Sequence, residues 1–254
     1  MRLTLEKQYA TDKNLSTRIN LHEKYSVNKL GFGRWIDAQY TFKPAMRILE
    51  LGCGNGSMWQ ETISSLPAGS KLILTDFSQG MLNAARARIG DHPGLSYQQV
   101  DIMDIPYDDG SMDAIIANMM LYHVPDIDRA LSEVRRVLKP GGVFYCATYG
   151  ENSIMRWLND LFSGFDIDIR MNTNFTLQNG GEMLSKYFSS VQRLDYPDAF
   201  EITDTEDLVA YVLSMTSMAN LAKLPRKTVY AVLEAQRQDG IIHVPKEYGM
   251  FVSR

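Results

Sequence analysis

The chain of 254 residues has only two cysteines, no apolar run of membrane-spanning length and no cluster of basic residues. Each absence removes a class of protein. Cys53 sits among glycines and Cys146 in an apolar strand-like run, so neither a disulfide framework nor a cysteine-rich metal site can be assembled from them. The most apolar run, "AIIANMMLY", falls far short of the roughly 20 residues a spanning helix needs. The opening "MRLTLEKQYATDKN" lacks an apolar stretch of signal-peptide length, so a cytoplasmic location is expected. A net charge of -4, with Lys and Arg scattered among 30 acids, gives no electrostatic footprint for nucleic acid. The expected partner is a small molecule rather than nucleic acid or membrane. No His/Asp/Glu grouping has metal-ligand spacing, so no metal is expected.

What is present is alternation. Between residues 45 and 150, β-rich runs ("MRILEL", "KLILTDF", "LSYQQVD", "MDAIIANM", "GVFYCATY") alternate with helical patterns ("SMWQETISSL", "GMLNAARARI", "IDRALSEVRRVL"). Helix ends coincide with "LPAGS", "GDHPG" and "KPGG", where Gly and Pro stop a helix. This is the pattern of an α/β fold with a doubly wound, mostly parallel sheet. No repeat, low-complexity tract or linker divides the chain, which reads as a single domain over 1–254. Its parts are a helical lid at 1–44, a ligand-binding core at 45–150, and a C-terminal part at 151–254. That last part carries a strand ("SSVQRLDYPDAFEI"), a helical insertion at about 203–240 and a final strand in "GMFVSR".

The stretch "RILELGCGNGSMWQE" runs a strand into glycines at 52, 54 and 56. In a doubly wound sheet the ligand lies beyond the carboxyl ends of the strands, against the first glycine loop. Dinucleotide folds use G-x-G-x-x-G, but here Ser57 stands where the third glycine would fall. Glu50, two residues before Gly52, lies close to where a pyrophosphate would sit, and two negative groups there repel. A ligand with a cationic amino group fits better. Asp76, at the end of the second strand, has the position and the acceptors for both ribose hydroxyls. Asp101, closing the third, can accept from an exocyclic amino group, and Phe77, Met81 and Ile102 are candidates to sandwich the base.

These residues resemble the class I S-adenosylmethionine-dependent methyltransferases, and in particular their small-molecule, type 11 branch. "LELGCGNGSMW" looks like their first motif and "LTDFSQGML" their second. "QQVDIMDIPYDDGSMDAIIANMMLYHV" covers their third and fourth, and "ALSEVRRVLKPGG" the helix and turn before their fifth strand. The resemblance implies a seven-stranded Rossmann-like sheet whose last strand is antiparallel. It also implies S-adenosyl-L-methionine, with S-adenosyl-L-homocysteine as product, bound at Glu50, Gly52, Gly54, Asp76, Phe77, Asp101, Ile102 and Asn118. The expected reaction is in-line transfer of the methyl group to a nitrogen or oxygen of a small acceptor. Alternatives are a non-catalytic S-adenosylmethionine or S-adenosylhomocysteine binder, and an RNA or protein methyltransferase.

Methyl transfer from a sulfonium needs orientation and desolvation more than an oxyanion hole. If a base takes part, His123, His22, Tyr25 and Tyr122 are the candidates. The open edge of such a sheet supplies a floor for the acceptor, so walls are expected from 1–44, 151–175 and about 203–240, with Tyr9, His22 and Tyr25 near the cofactor.

Overall fold

A computed structural model describes residues 20–167, 169, 171–214 and 220–254. Tyr9, one of the expected wall residues, lies outside them. The described chain divides into two compact units. One comprises Phe32–Tyr149, Asn172–Tyr196 and Tyr248–Arg254; the other comprises Gly150–Met171, Pro197–Glu247 and the described part of Met1–Gly31.

The first unit is built on a sheet of β1 (Arg47–Leu51), β2 (Lys71–Asp76), β3 (Leu95–Gln99), β4 (Met112–Ile116), β5 (Leu138–Tyr149), β6 (Val191–Tyr196) and β9 (Tyr248–Ser253). Their spatial order is β3-β2-β1-β4-β5-β9-β6. The first five strands run parallel, and β9 is antiparallel to both β5 and β6. This is the α/β sheet the sequence pattern predicts, and its antiparallel last strand is the one the family resemblance implies. Successive side chains of the central strands enter opposite cores, as a period of two requires. Leu49 and Ile115 pack on one face with Leu131, Val134 and Phe144. Ile48 and Ile116 pack on the other with Leu72, Leu74 and Leu82.

Two helices cover the sheet beside the strand ends. The helix Gln79–Ile89 starts where the Ser78 side chain accepts from Met81 N and stops at Gly90, whose φ of 78° few other residues adopt. The helix Ile127–Val137 is capped by Asp126 and buries Ala130, Leu131, Val134 and Val137, one stripe at helical spacing.

Two expectations need correction. "SMWQETISSL" is not an α-helix: residues 54–62 form successive turns that end in the 3-10 helix Ile63–Ser65. Side chains in and just before it bond the local backbone instead of leaving it to a helix, with Asn55 Oδ1 accepting from Ser57 N, and Thr62 and Ser65 donating to the carbonyls of Met58 and Thr62. "SSVQRLDYPDAFEI" is two strands, not one. Pro197, which has no N–H for a ladder, follows the end of β6, and β7 (Ala199–Ile202) belongs to the other unit.

In that unit β7 pairs antiparallel with β8 (Ile242–Pro245). Helices Ile154–Leu161, Thr205–Ser214 and Arg226–Glu234 supply Leu158, Leu208, Val209, Val212, Val229 and Leu233 to a core with Phe200, Ile202 and Val244. Inside it lies a buried ion pair between Lys246 and Asp198, 3% and 1% exposed. The Lys246 ammonium also donates to Ser26 Oγ at 2.8 Å and to His22 Nδ1 at 3.1 Å. His22 accepts because it is neutral: burial first, and the Lys246 charge second, push its pKa down to about 4.

Removing one partner of such a pair strands a buried charge. Asp198→Ala is therefore expected to destabilise the protein by about 3–5 kcal/mol, and the double change Asp198→Ala with Lys246→Met by clearly less. Urea unfolding measures both; a single variant as stable as the parent would show that the pair holds nothing.

Candidate functional site

The strand order reverses between β2-β1 and β4-β5, so the carboxyl ends of β1, β2, β3 and β4 gather at one edge of the first unit. The glycine loop leaves β1 here with Gly52, Gly54 and Gly56 all at positive φ, 74°, 57° and 73°. Only glycine adopts such a series cheaply. A Cβ on Gly52 would come 2.9 Å from Met120, and one on Gly56 2.6 Å from Ile89 Cδ1, whereas Gly54 faces open space. Two glycines let the loop press onto its neighbours; the middle one leaves backbone open to a ligand.

Asp76 pins this loop. One carboxylate oxygen accepts from Gly54 N at 3.0 Å and the other from Ser78 N at 2.8 Å. Burial raises its pKa, against the pull of those two bonds. Each oxygen keeps a lone pair for a further donor. Next to it Phe77 is 49% exposed. Its carbonyl accepts from Gln99 Nε2 at 2.7 Å, which ties β2 to β3. Asp101 accepts from Met103 N at 2.9 Å. Of the other two base-contact candidates, Met81 is partly buried, whereas Ile102, 6% exposed, is part of the core.

Glu50 is 2% exposed, and its Oε2 accepts from the Trp59 indole N–H. Burial foremost, then the nearby Asp76 charge, push its pKa up to about 7, while the Trp59 bond opposes them. Among the described residues no cation pairs with it. An acid so placed is stabilised as an anion only when a cationic group arrives.

Asn118, just past β4, is spoken for: its Nδ2 donates to Tyr40 OH at 2.6 Å and its Oδ1 accepts from Ala147 N at 3.3 Å. Its side chain therefore organises the site, and its neighbour Met119 takes φ 54°, a strained value for a residue with a Cβ. Tyr40 and Trp59 are the residues that sequence reasoning missed. Trp59 carries no signal beyond being an apolar residue after the glycines, and Tyr40 lies in a segment with no motif.

Among the base candidates, His123 ends a short 3-10 helix (Leu121–His123) after β4, with its ring 4.5 Å from that of Tyr122. Burial lowers its pKa, which keeps the imidazole neutral. His22 and Tyr25 belong to the other unit, where Lys246 holds His22 and Tyr25 donates to Asp207 at 2.7 Å. Among the described residues no group of three or more His, Cys, Asp or Glu is arranged to hold a metal.

Sheet order, glycine loop and strand-end acids together make the carboxyl edge of this α/β sheet a candidate nucleoside site. Residues 49–146 match a family model described as "Methyltransferase domain". That segment resembles the class I S-adenosylmethionine-dependent methyltransferases. The chain is similar to sterol 24-C-methyltransferase ERG6B of Gibberella zeae, 27% identical over 80% of this chain and 49% of that protein. It is also similar to demethylmenaquinone methyltransferase of Symbiobacterium thermophilum, 36% identical over 43% of this chain and 45% of that one. The chain thus spans about half the length of these curated relatives. Among solved structures it shares its fold with Haemonchus contortus phosphoethanolamine N-methyltransferase 2 in complex with S-adenosyl-L-methionine. The TM-score is 0.61 at 18% identity, covering 98% of this chain and 58% of that one.

The residues here fit S-adenosylmethionine: a buried acid with no cation beside it, a half-exposed aromatic ring, and a glycine loop whose middle member meets no neighbour. The raised pKa of Glu50 has a consequence for the ligand-free protein. Its contribution to stability is fully present below the unfolded pKa near 4.5 and is lost as the pH rises through about 7. Glu50→Gln removes that loss, so the ligand-free variant is expected to be more stable than the parent by about 2–3 kcal/mol at pH 8 and no different near pH 4. Thermal unfolding between those values measures it. A variant less stable than the parent at pH 8 would mean that Glu50 is already paired.

Proposed function

We propose that this protein transfers the methyl group of S-adenosylmethionine to a small-molecule acceptor, binding the cofactor at the carboxyl edge of its large sheet. The observation that carries the reading is the buried carboxylate of Glu50 beside an open glycine loop, with Asp76, Phe77 and Asp101 following at the next two strand ends. Glu50 takes the ammonium, Asp76 the ribose hydroxyls, Phe77 the adenine face and Asp101 the exocyclic amino group. Met81 and Ile102 border the base, and Gly52 and Gly54 bring backbone close to the ligand. Asn118 contributes its carbonyl and orients Tyr40.

Bound S-adenosylmethionine supplies a methyl group on a sulfonium, and its displacement leaves a neutral thioether. The protein has little charge to stabilise at that centre, so its task is to align the acceptor and exclude water. Neutral His123, past the end of β4, is suited to take a proton from the acceptor, as an imidazolium is not. The acceptor atom need not be nitrogen or oxygen: one relative carries the name of a sterol C-methyltransferase and another that of a demethylmenaquinone methyltransferase. Small, largely apolar acceptors are the class we infer, with carbon included among the atoms methylated. A cytoplasmic setting fits; no described helix is long and apolar enough to cross a membrane.

Calorimetry with S-adenosylhomocysteine and NAD tests the reading, followed by a methyl-labelled screen of acceptors with mass identification of the product. S-adenosylhomocysteine is expected to bind at least about tenfold tighter, because a pyrophosphate would meet Glu50. NAD binding as tightly or more tightly would refute the reading.

A further inference from the structure

The turn that carries His123 lacks a donor it needs. Residues Leu121–His123 form a 3-10 helix, in which each carbonyl accepts from the N–H three residues on. For Tyr122 that residue is Pro125, which has no N–H. A carbonyl so stranded costs free energy unless another donor reaches it.

Asn172 is that donor. Its Nδ2 donates to the Tyr122 carbonyl at 2.5 Å. The direction is fixed, because Asn172 Oδ1 accepts from Asn174 N at 3.1 Å and a flipped amide would set donor against donor. The Asn172 carbonyl in turn accepts from Tyr149 OH at 2.5 Å, and Leu177 N ties the same segment to the Tyr149 carbonyl at 3.0 Å. Burial foremost holds the Tyr149 pKa above its usual value, so its hydroxyl stays a donor. The Tyr149 ring lies 4.6 Å from that of Tyr122, which closes the clamp: Asn172, Tyr122 and Tyr149 each hold the other two.

The start of the segment is anchored as well. Met119 N donates to the Ala147 carbonyl at 2.8 Å, and the Met120 side chain fills the space that Gly52 leaves by having no Cβ. His123 N closes the turn onto the Met120 carbonyl at 2.9 Å, so the turn is joined to the glycine loop. The His123 imidazole is half-buried against Tyr122, and among the described residues it has no hydrogen-bond or ion-pair partner. Tyr122 and Tyr149 are the titratable groups of this cluster; burial, with no charged neighbour, lowers the His123 pKa.

We propose that Asn172 is a positioning residue for His123: its amide replaces the N–H missing at Pro125 and holds the turn where the imidazole serves as the base of the reaction. In that step a ring nitrogen takes the proton that the acceptor atom gives up on gaining the methyl group, and the electron pair of the broken carbon–sulfur bond stays on sulfur. The assignment rests on the methyltransferase reading above.

Nuclear magnetic resonance of histidine-labelled protein follows the four imidazoles, and His123→Gln assigns the signal. In the parent His123 is expected to titrate below 6.5, and in Asn172→Ala to move up toward that ordinary value as the released ring gains water. The affinity for S-adenosylhomocysteine is expected to stay within about twofold of the parent's. Transfer of labelled methyl from S-adenosylmethionine to a protein-free cell extract is expected to fall about tenfold or more, its rise with pH displaced upward with the His123 titration. An unmoved His123 titration in Asn172→Ala overturns the assignment, and so does an unchanged transfer rate. Loss of S-adenosylhomocysteine binding by that variant overturns it too, because Asn172 would then support the whole edge. A parent that binds no S-adenosylhomocysteine overturns the methyltransferase reading and this assignment with it. Tyr149→Phe, which unfastens the Asn172 carbonyl and keeps the ring, is expected to shift the titration the same way by less, and it decides the matter should Asn172→Ala fail to fold.

Discussion

Glu50 takes a carboxylate into the interior near the end of β1, an inner strand of the sheet, where it is 2% exposed and accepts from the Trp59 indole. Burying an acid in this way costs several kcal/mol unless the charge is neutralised or paired. The surroundings are arranged around that cost. β1 lies between β2 and β4, so its end cannot move without disturbing both neighbours, and Glu50 is paired in register with Leu74 and Ile116. The turns after the glycines, where a helix was expected, bring Trp59 inward to the acid. The ligand-free protein therefore holds Glu50 near its titration point, ready for a cation.

The same strand end explains how the remaining groups are brought together. Asp76 closes β2 and reaches back to Gly54 N, so the loop after β1 is held by the strand beside it. Gln99, ending β3, holds the Phe77 carbonyl, and Asn118 after β4 is tied to Ala147 in β5. Each strand thus fixes the functional residue of its neighbour. A parallel sheet makes this cheap, since all its carboxyl ends lie at one edge and no chain need travel far to meet another.

Much of this was legible in the sequence. Alternating β-rich and helical runs from 45 to 150 marked the parallel sheet, and glycines at every second position with acids at later strand ends marked the candidate site, because backbone geometry and hydrogen bonding demand those residue types. The rest was set by tertiary contacts. "SMWQETISSL" has apolar spacing that a helix would use, but Ser and Thr side chains compete for its backbone, and Trp59 is committed to Glu50. Pro197 alone marked the division of "SSVQRLDYPDAFEI" between two units. Tyr40 carries no local signature, since its role comes from Asn118, 78 residues away. His22 read as a candidate base; a buried lysine far along the chain gives it another occupation.

The central claim is that Glu50 receives the ammonium of an S-adenosyl ligand, and proton release on binding tests it most directly. Glu50 begins near half-protonated at neutral pH, and an ammonium beside it returns its pKa toward the ordinary range. Calorimetry of S-adenosylhomocysteine at pH 6.5, repeated in buffers of different ionisation enthalpy, counts the protons. The account predicts release of about 0.7 proton per ligand in the parent protein and none from the Glu50→Gln variant. Binding with no proton released by the parent would contradict it.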